Sequence, residues 1–143
     1  MPLADTTYWL KPQRVGGTVI PTIRTTAALT VWVVDDEPSI LALLTRGLPR
    51  VGTFDVVAAQ SADELASLVQ AGGVPDVVLI DFGIPVPPAL RAELRRLQPS
   101  PRLLYFTGRR LSDEQRAWVD DVLHKPMTLR DLAGELTAQA RVS

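Results

Sequence analysis

Val31-Trp32-Val33-Val34-Asp35-Asp36-Glu37 carries the clearest structural signal in the chain. Four β-favouring apolar residues run straight into three carboxylates. A continuous apolar run, without polar alternation, suits a strand buried on both faces of a parallel sheet, and it puts the charge at the strand's C-terminal tip. Carboxylates packed this closely repel one another, and a fold tolerates them best where a hard cation sits among their oxygens.

The same pattern repeats along the chain. Pro38 suits the first turn of a helix whose Ile40, Leu41, Leu44 and Leu48 line one face, and Pro49 is expected to stop it. Phe54 to Ala58 reads as a second strand. Ser61-Ala62-Asp63-Glu64 has capping-box spacing, and Gly72-Gly73 ends the helix that follows. Val77 to Ile80 is a third strand ending in Asp81; Pro87-Pro88 opens a helix with Leu90, Leu94 and Leu97 on one side. Leu103 to Phe106 is a fourth strand ending in Thr107-Gly108. Ser112-Asp113-Glu114-Gln115 starts a short helix through about Val119. Val122 to His124 is a fifth strand ending in Lys125-Pro126, and Thr128 caps a last helix.

Five strand-helix units with apolar strands imply an α/β fold: a doubly wound five-stranded parallel sheet with helices on both faces and right-handed crossovers. Polar residues at the strand tips then meet in one crevice, where such sheets place their ligands.

Bulk properties limit the alternatives. A chain of 143 residues suits one domain. The absence of cysteine excludes a disulfide framework and a thiolate metal site. No apolar run approaches the ~20 residues of a membrane span, and no signal-peptide pattern is present, so the expected location is cytoplasmic. A net charge of -1 gives no electrostatic reason for nucleic acid or an anionic membrane as partner. There is no Gly-rich phosphate loop and no Ser-His-Asp set, so no enzyme acting on a diffusible substrate is expected.

Charge also divides the chain. Residues 1–30 carry Lys11, Arg14 and Arg24 against Asp5, while the remainder is net acidic. With Pro2, Pro12, Pro21 and Gly16-Gly17, the first segment cannot be a long helix. It is expected to be an extension with short strands at Thr7 to Leu10 and Thr18 to Ile23, and 31–143 the domain proper. Tyr8, Trp9, Val19 and Ile20 would pack on that domain or on a second chain.

Taken singly, each polar residue has a plain reading: Asp35 a turn residue, Asp36 or Glu37 a helix cap, Asp81 a turn, Thr107-Gly108 a loop. Their joint placement at four strand tips reverses those odds. His124 is the only histidine and alternates away from Lys125; Trp32 and Trp118 read as packing residues, Arg109-Arg110 as a solvated loop.

Val33-Val34-Asp35-Asp36-Glu37-Pro38, Ile80-Asp81 with Pro85, Thr107-Gly108 and Lys125-Pro126, in this order, resemble the receiver domain of two-component response regulators over about residues 31 to 140. The resemblance implies the flavodoxin-like strand order 2-1-3-4-5. It also implies that Asp81 accepts a phosphoryl group from a histidine kinase or histidine phosphotransfer protein, as carboxylate nucleophiles do elsewhere. Mg2+ would be held by Asp35, Asp36, Asp81 and the backbone carbonyl of Gly83. Thr107 would donate its hydroxyl to one phosphoryl oxygen and Lys125 its point charge to another. Pro126 would be structural, joined to Lys125 by a cis bond.

Lys125 is one of two lysines against thirteen arginines. A solvated position in this chain would ordinarily use arginine, so the single lysine of the domain marks a spot that demands a compact charge.

Such a protein catalyses only its own phosphorylation and dephosphorylation. With the chain ending at Ser143, its expected output is contact with a downstream protein or phosphate relay, with a homodimer aided by residues 1–30 as one form of contact. The alternative is a scaffold or dimerisation module that keeps the fold without phosphate chemistry. Departures from the pattern fall on the output side. Val86-Pro87-Pro88-Ala89 stiffens the segment after Pro85, the stretch from Thr107 to Lys125 is short, and Val122 stands where many receivers carry the aromatic that couples site to surface.

Overall fold

The computed structural model describes residues 28–142 in full, together with the backbone of residues 8–15 and 18–25. Tyr8–Val15 (β1) and Thr18–Thr25 (β2) pair antiparallel as a separate two-stranded sheet. Both strands run longer than the sequence pattern suggests; Thr7 and the side chains of Tyr8, Trp9, Val19 and Ile20 lie outside the described residues.

The main body alternates strand and helix: Leu29–Val34 (β3), Pro38–Val51 (α1), Phe54–Ala59 (β4), Ala62–Gln70 (α2), Val77–Asp81 (β5), Pro88–Arg96 (α3), Arg102–Thr107 (β6), Asp113–Arg116 (α4), Asp121–His124 (β7) and Leu129–Ala140 (α5). The sheet has five parallel strands in the order β4-β3-β5-β6-β7, the expected 2-1-3-4-5. Its first strand starts at Leu29, two residues ahead of Val31, because Leu29 pairs with Phe54.

Strand periodicity splits the apolar residues between two cores. Val31, Val33, Leu79, Leu104 and Phe106 face α1 and α5 through Leu44, Leu48, Leu132 and Leu136. Trp32, Val34, Val78, Ile80, Leu103 and Tyr105 face α2 and α3 through Leu65, Leu90 and Leu94. Burial on both faces is why the strands read as unbroken apolar runs. Leu48, Leu94 and Leu136 are wholly enclosed; each contributes roughly 1.5–3 kcal/mol by leaving water, and truncation to alanine would cost about 2–5 kcal/mol.

Two helix ends differ from expectation. Pro49 does not stop α1, which continues to Val51. The ring removes a single donor within the last turn, and the burial of Leu48 with the packing of Val51 holds that turn in place. α4 has the predicted capping box between Ser112 and Gln115 but ends at Arg116. Beyond it the chain is drawn into the sheet: Asp120 N–H donates to Leu103 O at 2.7 Å, and Arg95 donates to Trp118 O at 2.6 Å. α2 ends as read, with Gly72 at φ 88°, a conformation that favours glycine.

Candidate metal and phosphoacceptor site

Because β3, β5, β6 and β7 are parallel and adjacent, their C-terminal tips form one rim. Asp35 continues β3, its N–H donating to Ala59 O at 3.1 Å. Its carboxylate is buried, and Oδ1 accepts from the Glu37 N–H at 2.9 Å. Asp36 and Glu37 are exposed; Glu37 occupies the cap position of α1 without a side-chain cap bond.

Asp81 closes β5, and a tight turn follows in which Ile84 N–H donates to Asp81 O at 3.0 Å. The two carboxylate oxygens of Asp81 are held separately. Lys125 Nζ donates to Oδ1 at 2.9 Å, and Gly83 N–H donates to Oδ2 at 3.1 Å. A Cβ at residue 83 would stand 2.9 Å from that Oδ2, so any larger residue there would turn the Asp81 carboxylate out of this orientation.

Thr107 ends β6, buried, its Oγ1 accepting from Arg109 N–H at 3.1 Å. A hydroxyl that accepts there keeps its own proton free to donate. Lys125 is positioned by its backbone, whose N–H donates to Thr107 O at 2.9 Å. Its ammonium lies 3.8 Å from Asp35 Oδ2 and 5.1 Å from the centre of the Phe106 ring. The Lys125–Pro126 bond is cis. His124 is exposed and outside this cluster.

Carboxylate oxygens of Asp35, Asp36 and Asp81 lie within 4.8 Å of one another. Three carboxylates gathered in one crevice form the all-oxygen donor set that Mg2+ takes, and they would hold it here. Burial pushes the Asp35 carboxyl above its ordinary range of 3.8; the nearby Asp81 and Asp36 charges add to this, while the Glu37 N–H bond and Lys125 oppose it. A buried acid destabilised by two like charges, with lone pairs to spare, is a donor set that a hard cation relieves.

The crevice thus brings together the carboxylates of Asp35, Asp36 and Asp81 and the Lys125 ammonium, with Thr107 at the tip of the neighbouring strand. Sequence reasoning missed the orienting groups: the N–H groups of Glu37, Gly83 and Arg109 carry no side-chain signal, and the Phe106 ring beneath Lys125 reads as one more core residue of an apolar strand.

Comparison with known proteins agrees with this geometry. Residues 31–137 match the response regulator receiver domain family. The transcriptional regulatory protein PrrA of Mycobacterium tuberculosis is 31% identical over 118 residues, covering 78% of this chain and 49% of that protein; PrrA of Mycobacterium leprae is 30% identical over the same length. The chain therefore spans about half the length of the curated relatives it matches. Among solved structures, a CheY-like receiver domain protein from Methanospirillum hungatei superimposes with a TM-score of 0.66 at 22% identity, covering 79% of this chain and 94% of that one. A putative pilus assembly protein from Burkholderia thailandensis is 28% identical with a TM-score of 0.58, over 78% of this chain and 98% of its own. By its matched residues, its strand order and its acidic crevice, this chain belongs to the response regulator receiver domain family.

Proposed function

We propose that the chain is a phosphoacceptor: Asp81 takes a phosphoryl group from a phosphohistidine of a histidine kinase or phosphotransfer protein, and the modified domain changes its contacts with a downstream protein. The observation that carries this reading is the separate tethering of the two Asp81 oxygens, by Lys125 and by the Gly83 N–H. It presents the carboxylate in one orientation at the open end of the sheet, with lone pairs left for attack.

In the transfer, an Asp81 oxygen forms a bond to phosphorus while the bond from phosphorus to the donor imidazole nitrogen breaks and its electron pair stays on the imidazole. Lys125 already donates to Asp81 and is placed to follow the negative charge onto a phosphoryl oxygen. The Thr107 hydroxyl supplies a second donor to the same group. Asp35, Asp36, Asp81 and the Gly83 carbonyl would hold Mg2+, which when bound supplies the positive charge that lets one anion approach another. No step requires a diffusible substrate, in keeping with a signalling module.

The direct test is beryllofluoride with Mg2+, which mimics an aspartyl-phosphate. At a hundredfold excess over its dissociation constant, a ligand of the folded state adds about 2.7 kcal/mol, several degrees of melting temperature in a domain of this size. The shift is expected in the natural chain and absent in Asp81→Asn. No shift in the natural chain, or an equal shift in the variant, would overturn the proposal.

A further inference from the structure

Four side chains outside the acidic crevice form a closed circuit around the loop that follows Asp81. Phe82, the next residue in the chain, meets Tyr105 edge-on at a centroid distance of 5.1 Å. Tyr105 meets Trp118 edge-on at 5.7 Å and accepts a hydrogen bond from the indole Nε1 at 2.7 Å. The Arg91 guanidinium sits 4.8 Å from the centre of the Trp118 ring. The circuit closes where Arg91 Nε donates to Val86 O at 2.9 Å. The loop between β5 and α3 is therefore gripped at both ends, by a ring at residue 82 and through the carbonyl of residue 86.

The backbone beneath Trp118 is anchored independently. Arg95 on α3 donates to Trp118 O at 2.6 Å and to both Asp120 oxygens at 3.1 Å, and Asp120 in turn accepts from Leu103 N–H at 2.7 Å. A displacement arriving through Tyr105 must then appear as a change in the indole or in Arg91, since the main chain around it is pinned. Tyr105 is also the ladder partner of Val122. On that rung of the sheet the aromatic bulk stands on β6, facing α3, and β7 contributes only a valine.

Resting on the phosphoacceptor reading, we infer that Phe82, Tyr105, Trp118 and Arg91 couple the state of Asp81 to the corner between α3 and α4, and that this corner is where the chain's contacts change. Phosphorylation redirects the two donors that now hold Asp81, Lys125 and the Gly83 N–H. The turn carrying Phe82 is built on the second of them, and close-packed interiors pass such shifts on because their side chains have no slack. Coupling requires contacts that differ between the two states. A Trp118–Tyr105 hydrogen bond whose strength differs between the two states contributes to the balance between them, so by reciprocity cutting it should change the affinity for the ligand.

The test uses the full chain labelled with fluorotryptophan and read by fluorine NMR, its three tryptophans distinguished by the spectrum of Trp118→Phe. Saturation with beryllofluoride and Mg2+ is expected to move the Trp118 resonance. In Tyr105→Phe, which keeps the ring and loses the hydroxyl, the shift should fall by more than half while beryllofluoride affinity changes about fivefold, the lower range of measured site-to-site couplings. Phe82→Leu should weaken the same shift from the other end.

A Trp118 resonance that stays in place while Asp81-dependent binding raises the melting temperature would overturn this inference alone. So would a shift and an affinity unchanged in both variants, which is what mere packing predicts. Absence of any Asp81-dependent binding would overturn the phosphoacceptor reading, and this inference with it.

Discussion

The ammonium of Lys125 donates to Asp81 Oδ1 at 2.9 Å across 44 positions of sequence. Two strand tips that share no local signal are thus joined by a charged hydrogen bond at the point where a phosphoryl group would arrive. In the proposed transfer this bond would hold a compact cation against the accepting carboxylate in advance, so none of that ordering would have to occur during reaction.

Replacing this donor should therefore affect chemistry far more than fold. Lys125→Gln retains a shorter, neutral donor. Phosphorylation of Asp81 by a small donor such as phosphoramidate, followed by intact-mass spectrometry, is expected to slow about a hundredfold, the usual scale for losing one preorganised donor to a developing charge. The circular dichroism spectrum should be that of the natural chain. A rate within a factor of about two would remove Lys125 from the mechanism.

Gly83 offers a cleaner separation of site from stability. A methyl group there meets the free end of a side chain, Asp81 Oδ2 at 2.9 Å, and the adjustment open to it is rotation of that carboxylate. Gly83→Ala should leave stability within about 0.5 kcal/mol, as exposed substitutions do. Mg2+ affinity should fall about ten- to hundredfold, the range seen when a group orienting a metal ligand is disturbed. Calorimetric titration with Mg2+ would check this; natural affinity in the variant would mean that the Asp81 orientation is not set by the backbone of residue 83.

Strand tips were legible because burial on both faces makes a parallel strand apolar throughout, so the first carboxylate after Val34 or Ile80 marks where the apolar run ends. The convergence of Asp35, Asp81, Thr107 and Lys125 followed from topology alone, since parallel neighbours end on one side. What the sequence hid depends on contacts between distant segments. Phe82, Tyr105, Trp118 and Arg91 share no periodicity, and each alone is an ordinary packing or surface residue. The early end of α4 is similarly set from outside, by Arg95 and Leu103 capturing residues 118 and 120. At Pro49 a sound local rule gave way to the tertiary packing of Leu48 and Val51.

Asp35 gives the metal-free protein a defined pH dependence. Its folded-state pKa lies above the unfolded value of 3.8, chiefly through burial. Between those values the folded chain binds more protons than the unfolded one, so stability falls as pH rises. Below 3.8 the group is protonated in both states and contributes no penalty; above the folded pKa the whole penalty is present. Asp35→Asn, which can still accept from Glu37 N–H, should melt higher than the natural chain at pH 7 in chelator, and the gap should close as pH approaches 4. The same variant should lose Mg2+ binding. Thermal scans across pH would refute this if the natural chain melted higher throughout.

In the hairpin of β1 and β2, the register sets Pro12 directly opposite Pro21. Residues facing each other in an antiparallel pair either exchange two hydrogen bonds or turn their N–H and C=O groups outward. Two prolines have no N–H to exchange, so this is an outward-facing pair, and the missing donors fall at the middle of both outer edges. A two-stranded sheet otherwise offers two edges for pairing with another chain, and proline at such positions blunts them. Restoring both donors in Pro12→Thr with Pro21→Thr should make self-association steeper with concentration in sedimentation velocity, while a chain starting at Ala28 should show none of that increase. If the double variant sediments as the natural chain does across the same range, the prolines are not what keeps these edges apart.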